Sequence, residues 1–201
     1  MAARFSDMVL KGTQAGANGA AVTLEVYRKS PGKMRSTVDS PKGSFTLGLD
    51  GTKGWTQTKN GSREMSAPEM AQIKDLEGIY DPIKIQEPFP RMRLIAKEKV
   101  GEREAWVLRA QGPENRILRL YFDAETGLLV REVLLTPTMI GMIPEQFDFE
   151  DYRNADGASL PFTIRLSSVN PRMNWSQKFE SVRHDQPIDD SKFSKPASSE
   201  K

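Results

Sequence analysis

Three groups of residues in this 201-residue chain have the types and spacing for chemistry. In DAETGLLVRE, residues 123–132, Asp123, Glu125 and Thr126 bring two carboxylates and a hydroxyl together, the makings of either a reactive loop or a bend. His184, the single imidazole, stands beside Asp185 and has the pKa range of a general base. The segment 145–157, EQFDFEDYRNADG, has the acid density of a calcium site.

Each group meets a physical objection. One histidine assembles neither a Ser-His-Asp set nor a multi-histidine metal site, and its place at a strand end reads as surface. A twelve-residue calcium loop with Gly157 at its sixth position runs from Tyr152 to Thr163, so it lacks both the opening carboxylate and the closing bidentate glutamate. Strand alternation instead puts Asp148, Glu150 and Tyr152 on one solvated face and Phe147 with Phe149 on the other.

The DAETG group reads as a bend. Asp123 can accept backbone N–H bonds, Glu125 can face solvent, and Gly127 can take the left-handed conformation that a four-residue hairpin loop needs. Closing Asp123 against Leu128 pairs Phe122 with Leu129, Leu118 with Val133 and Arg119 with Glu132. The glycine-rich pieces GTQAGANGAA and GLDGTKGW match neither phosphate-cradling loops nor dinucleotide fingerprints and read as hairpin connections. Absence of cysteine excludes disulfides, thiol catalysis, cysteine-ligated zinc and covalent haem attachment within this sequence.

Composition narrows the classes further. Lys and Arg outnumber Asp and Glu by 29 to 27, with both signs mixed along the chain, which is no footprint for nucleic acid. Apolar residues reach 37%, and no run approaches the ~20 apolar residues of a spanning helix. The start, MAARFSDMVLKG, shows no secretory signal, so the expectation is that one is absent or already removed. Length favours one domain, 1–196, followed by a disordered tail, 197–201.

The elements that must position any site are mostly strands. Turn signals at Pro31-Gly32, Pro41-Lys42-Gly43, Asp50-Gly51, Asn60-Gly61, Gly101, Gly112-Pro113, Thr126-Gly127 and Asp156-Gly157 separate short segments rich in β-branched and aromatic residues. Strands are expected near 5–13, 20–29, 33–40, 43–50, 53–59, 62–66, 91–99, 103–111, 115–123, 127–136, 145–153, 158–169 and 172–184, forming an antiparallel meander. Strand 127–136 is apolar on both faces and needs cover on both sides. One break in the pattern is 67–77, where Met70, Ile73 and Leu76 recur at helical spacing after an N-capping Ser66 with Glu69 three residues on. A second is the irregular apolar piece Met139–Pro144. Because methionines flank these two pieces, a flexible apolar cavity beside them is the best site the residues offer.

The order LEVYRKSPGKMR, SPKG, LDGTKGW, LYFDAETGLLVRE, DYRNADGASLPFTI and QPIDDSKFSKP resembles the outer-membrane lipoprotein-sorting proteins and periplasmic lipoprotein carriers, the LolA-like superfamily, over residues 20–196. The resemblance implies a mainly β, α+β fold: a strongly curved, unclosed antiparallel half-barrel with one or more short helices as a lid in its concavity. It implies a non-catalytic protein of the periplasm or cell envelope that binds a lipid, an acyl chain or a lipoprotein's lipid moiety. No cofactor and no metal follow from it; an envelope protein is a possible partner, and membrane contact is indirect. The ligand-binding residues expected are Met70, Ile73, Leu76, Tyr80, Ile83, Met139, Ile140, Met142 and Ile143. Two alternatives stand beside this reading: an interaction module with a filled core, and an enzyme on the same fold using His184, Glu145 and Asp148.

Overall fold

The computed structural model describes residues 7–67, 69, 70, 73, 89, 91–155, 157–184 and 186–197. Thirteen strands form one antiparallel sheet: β1 Asp7–Gly16, β2 Ala21–Lys29, β3 Lys33–Ser40, β4 Gly43–Asp50, β5 Gly54–Thr58, β6 Gly61–Glu64, β7 Met92–Val100, β8 Arg103–Gln111, β9 Ile117–Asp123, β10 Leu129–Thr138, β11 Gly141–Ala155, β12 Ala158–Ser168 and β13 Trp175–His184. All thirteen fall on expected segments, because turn signals and alternation are local properties that each hairpin needs for itself.

The strand order is β6-β5-β4-β3-β2-β1-β13-β12-β11-β10-β9-β8-β7. The first and last strands are therefore neighbours, paired from Met8–His184 to Gly16–Trp175. The two free edges, β6 and β7, are consecutive in sequence. The result is a curved, unclosed half-barrel whose edges are joined by the connection 65–91.

We call inner the face that the described residues of this connection touch. Met70 and Ile73 pack against a cluster containing Met8, Leu10, Leu24, Val26, Met34, Leu49, Phe149 and Ile164, and Phe89 is buried against Ala110, Leu118, Leu120 and Leu134. Leu129 touches both clusters, so the inner apolar surface is continuous across the sheet. A third cluster, Ala105, Val107, Tyr121 and Val130, lies on the outer face.

That division explains the first departure from the expected register. Leu129 does pair with Phe122, but the register then shifts, setting Glu132 opposite Leu120, Val133 opposite Arg119 and Leu134 opposite Leu118. A bulge between Leu129 and Arg131 is the cause. It sends Val130 outward to Tyr121 while keeping Leu129 and Leu134 inward, so the apolar residues of β10 serve both clusters.

Three further expectations are corrected. Residues 137–144 are not irregular: they finish β10, turn through Met139 and Ile140, and begin β11. His184 is buried rather than on the surface, because its pairing with Met8 puts it on the same inner face as that residue. Tyr152 does not share the outer face of Asp148 and Glu150; Asp151, at φ 54, turns the strand so that the phenol packs inward.

The outer face of β2–β6 carries the C-terminal segment 186–197. Trp55 is 1% exposed, lies over Gly48, and donates its indole N–H to the carbonyl of Phe193 at 2.7 Å. Lys29 donates to the carbonyl of Ile188 at 2.8 Å, and Lys29 and Lys33 pair with Asp190 at 2.8 and 2.7 Å. Those two ammonium groups hold the Asp190 carboxyl down at about 2. Ile188 and Phe193 are the buried anchors of the segment.

Candidate functional site

Two of the three groups first suspected of chemistry are occupied. The Asp123 carboxylate accepts from Thr126 N–H at 2.8 Å, Thr126 Oγ1 at 2.9 Å and Glu125 N–H at 3.1 Å, and these bonds hold its pKa below the usual range. Gly127 takes φ 70 and its N–H reaches the Asp123 carbonyl, as a bend requires. On the outer face Asp148 accepts from Arg131 at 2.6 Å and Glu150 from Arg165 at 2.9 Å. Among the described residues no group of three or more His, Asp or Glu side chains is placed to hold a metal ion.

What the inner face offers instead is space. An apolar cavity of about 90 Å³ is lined by Met8 and Leu10 of β1, Val182 of β13, Leu160 and Ile164 of β12, and Phe149 of β11, with Leu129, Tyr152, Ser159 and Pro161 completing it. Four consecutive strands of the sheet, β1, β13, β12 and β11, thus supply most of one wall. The Tyr152 hydroxyl donates to the carbonyl of Leu129, and burial pushes the phenol above its ordinary pKa, so this polar group enters the wall neutral and satisfied. A wall of this kind gains by covering apolar surface and has nothing to offer a charged ligand.

The start of the connection is built to sit tightly on this face. Glu69 accepts from the Ser66 N–H at 2.8 Å and from Ser66 Oγ at 2.9 Å, and Arg63 of β6 grips the same carboxylate at 2.6 and 3.0 Å. The Met70 N–H reaches the Ser66 carbonyl, and Ala67, Glu69, Met70 and Ile73 are helical. Gly54 makes room for this approach: a Cβ there would lie 2.2 Å from the Met70 sulfur and 2.6 Å from that of Met65. Serine, glutamate and the helical spacing of the apolar residues were the readable signals for it.

Arg63 first, then Ser66, draws the Glu69 carboxyl down to about 2 from an ordinary 4.5. A carboxylate lowered on folding contributes stability above its unfolded pKa and loses it as pH falls through the folded value. The protection factor of the Met70 amide is therefore expected to drop several-fold between pH 5 and about 2. Glu69→Gln should give low protection at both pH values; unchanged protection in that variant would show that the carboxylate does not hold the segment.

The residues expected to bind ligand divide into three sets. Met70 and Ile73 pack onto the cluster that contains the cavity wall. Leu76, Tyr80 and Ile83 lie outside the described residues. Met139, Ile140, Met142 and Ile143 belong to the β10–β11 hairpin, where Met139 and Ile140 form its exposed tip, and none of the four lines the cavity. Sequence reasoning missed the wall itself. Alternation sets Phe149 on the face away from Asp148 and Glu150, but its meeting with Met8, Leu10 and Val182 depends on the pairing of first and last strands, which leaves no local signal.

No family model matches this sequence, and no curated protein matches it. Solved structures do. An outer-membrane lipoprotein-sorting protein domain from Vibrio parahaemolyticus aligns at 11% identity and TM-score 0.68 over 95% of this chain and 90% of its own. A DUF1329 family protein from Desulfovibrio piger aligns at 12% and 0.69, over 96% and 91%. A LolA superfamily protein from Nitrosomonas europaea aligns at 11% and 0.64, over 96% and 91%. The fold of this chain is accordingly similar to that of the lipoprotein-sorting, DUF1329 and LolA-superfamily domains along nearly its whole length.

Proposed function

We propose that this protein shelters a hydrophobic ligand, a lipid or acyl chain, between the inner face of its half-barrel and the connection 65–91, and that it does so in a bacterial cell envelope without catalysing a reaction. The observation that carries this reading is the mainly apolar cavity of about 90 Å³ beside the docking place of Met70 and Ile73. The likeness to lipoprotein-sorting and LolA-superfamily domains supports it at the level of fold.

Size sets the mechanism. Small-molecule pockets run from roughly 300 Å³ upward, so a whole acyl chain enters only if Met70 and Ile73 move off the sheet. Burial at ~0.8 kcal/mol per methylene is the driving force available to offset that displacement. Met70 and Ile73 then become ligand contacts, and Leu76, Tyr80 and Ile83 are proposed to extend the same apolar wall.

Native mass spectrometry of gently purified protein is expected to show adducts of lipid mass that disappear on delipidation. The small volume also favours a second reading, a module whose core is closed and whose outer face docks a partner. A single adduct-free mass from protein prepared without detergent would select that reading over the carrier.

A further inference from the structure

Beyond the cavity, the β10–β11 hairpin has a construction the ligand-binding reading does not use. β10 last pairs with β9 at Leu135, and β11 first pairs with β12 at Glu145. Thr136–Pro144 therefore projects past the strands on both sides, by roughly 10 Å at ~3.3 Å per residue. These nine residues, TPTMIGMIP, include no charge. Met139 is fully exposed and Ile140 is 90% exposed.

The turn itself does not demand such residues. Three hairpins at this end of the sheet share one design: a hydroxyl residue, two tip residues, then a glycine at φ 117 to 123. In each, the hydroxyl of Ser40, Thr58 or Thr138 accepts from the second tip residue's N–H. Two of the tips are hydrophilic, Pro41-Lys42 and Lys59-Asn60, and only the projecting one is Met-Ile. The apolar tip is thus a property of this hairpin and not of its geometry.

Backbone chemistry narrows the occupant. The two-residue turn closes on a hydrogen-bonded Thr138–Gly141 pair, so outward-pointing N–H groups fall at positions 137, 142 and 144 of the projecting part. Positions 137 and 144 are proline, which has no N–H, leaving Met142 as the single outward strand donor. Such an edge is poor for adding a partner's strand, which needs a row of donors. It suits a medium that offers no hydrogen bonds.

The surroundings supply the other half. Val169 and Met173 are further exposed apolar residues, on the β12–β13 connection at the same end of the sheet. Among the described residues, the hairpin connections at this end carry Lys42, Lys59, Arg116 and Arg172 against one carboxylate, Glu114, and those at the opposite end carry Lys53 against Glu102 and Glu125. We propose that the Met139–Ile140 tip inserts into the interfacial layer of a lipid bilayer bearing anionic headgroups, with the basic connections lying on its surface. Shallow insertion of a compact apolar element flanked by cations is how proteins hold to such a surface without spanning it. The contact is direct and holds whatever occupies the cavity.

Flotation of the purified protein with vesicles of phosphatidylglycerol and phosphatidylethanolamine tests this. Wild type is expected to float with them, and more strongly than with phosphatidylcholine vesicles. Combining Met139→Ser with Ile140→Asn, which keeps the turn's glycine and hydroxyl, should weaken flotation at least tenfold at an unchanged melting temperature. Wild type that stays with the unbound fraction, or a double variant that floats equally well, would overturn the insertion. So would a double variant that loses a self-association seen for wild type in sedimentation while vesicles bind neither protein, which would assign the hairpin to a protein contact. Equal flotation on both vesicle types would overturn the role of the basic connections.

Discussion

Gly12→Ala is expected to be the most damaging single-methyl change in the protein. A Cβ at Gly12 would sit 2.0 Å from the carbonyl oxygen of Lys178 and 2.8 Å from the Phe179 Cα. Both are backbone atoms of β13, and backbone in the middle of a sheet cannot move aside as a side-chain tip can. Gly12 lies where the register shifts between β1 and β13, so the methyl forces apart the one pairing that joins the N-terminal six strands to the rest. A loss of about 3 kcal/mol or more is expected, at the upper end of overpacking effects. In a chain of this length it corresponds to a melting temperature lower by roughly 10 °C. Gly16→Ala is the control: in the same strand its Cβ would meet nothing nearer than the Asn18 side-chain oxygen at 3.8 Å, and its effect should stay within about 0.5 kcal/mol. Equal melting of the two variants would show that the β1–β13 junction tolerates a side chain.

Trp55→Ala is expected to cost about 3–5 kcal/mol, the range for deleting a large buried aromatic. The indole is 1% exposed, covers Gly48, and is the hydrogen-bond donor to Phe193. Removing it opens a hole between the sheet and the C-terminal segment, so the damage should appear both in urea unfolding and as proteolysis between 186 and 197. Trp55→Phe separates the two contributions. It keeps an aromatic ring and leaves the Phe193 carbonyl without its donor, at about 1–2 kcal/mol. Should alanine and phenylalanine cost the same, the hydrogen bond and not the packing would be what fastens the segment.

How much of this was legible in the sequence follows from the range of each interaction. Hairpins are local, and so every strand from Asp7–Gly16 to Trp175–His184 stood out through turn residues and alternation. The capping of Ser66 by Glu69 is also local, and it was legible with the residue spacing that places Met70 and Ile73. Bulges and face reversals are not. Nothing in LLVREVLL distinguishes the bulge after Leu129 from a regular strand, because the choice is made by two apolar clusters on opposite faces. The inward turn of Tyr152 depends on Asp151 accepting a positive φ, which aspartate tolerates without announcing. Met139–Pro144 reads as an irregular apolar piece beside a cavity because apolar residues are usually buried, whereas the turn formed by Thr138 and Gly141 is a polar signal for a regular hairpin. The wall of the cavity depends on strands at opposite ends of the chain.

The claim on which the rest depends is that the inner face takes up an apolar chain, and titration of the purified protein with a fluorescent fatty acid tests it directly. The account predicts saturable uptake at one class of site. It also predicts that Val182→Phe, which places a ring in the cavity bounded by Met8, Leu10 and Ile164, weakens uptake at least tenfold while the protein remains folded. Fluorescence that rises without saturating, or uptake equal in wild type and Val182→Phe, would contradict it.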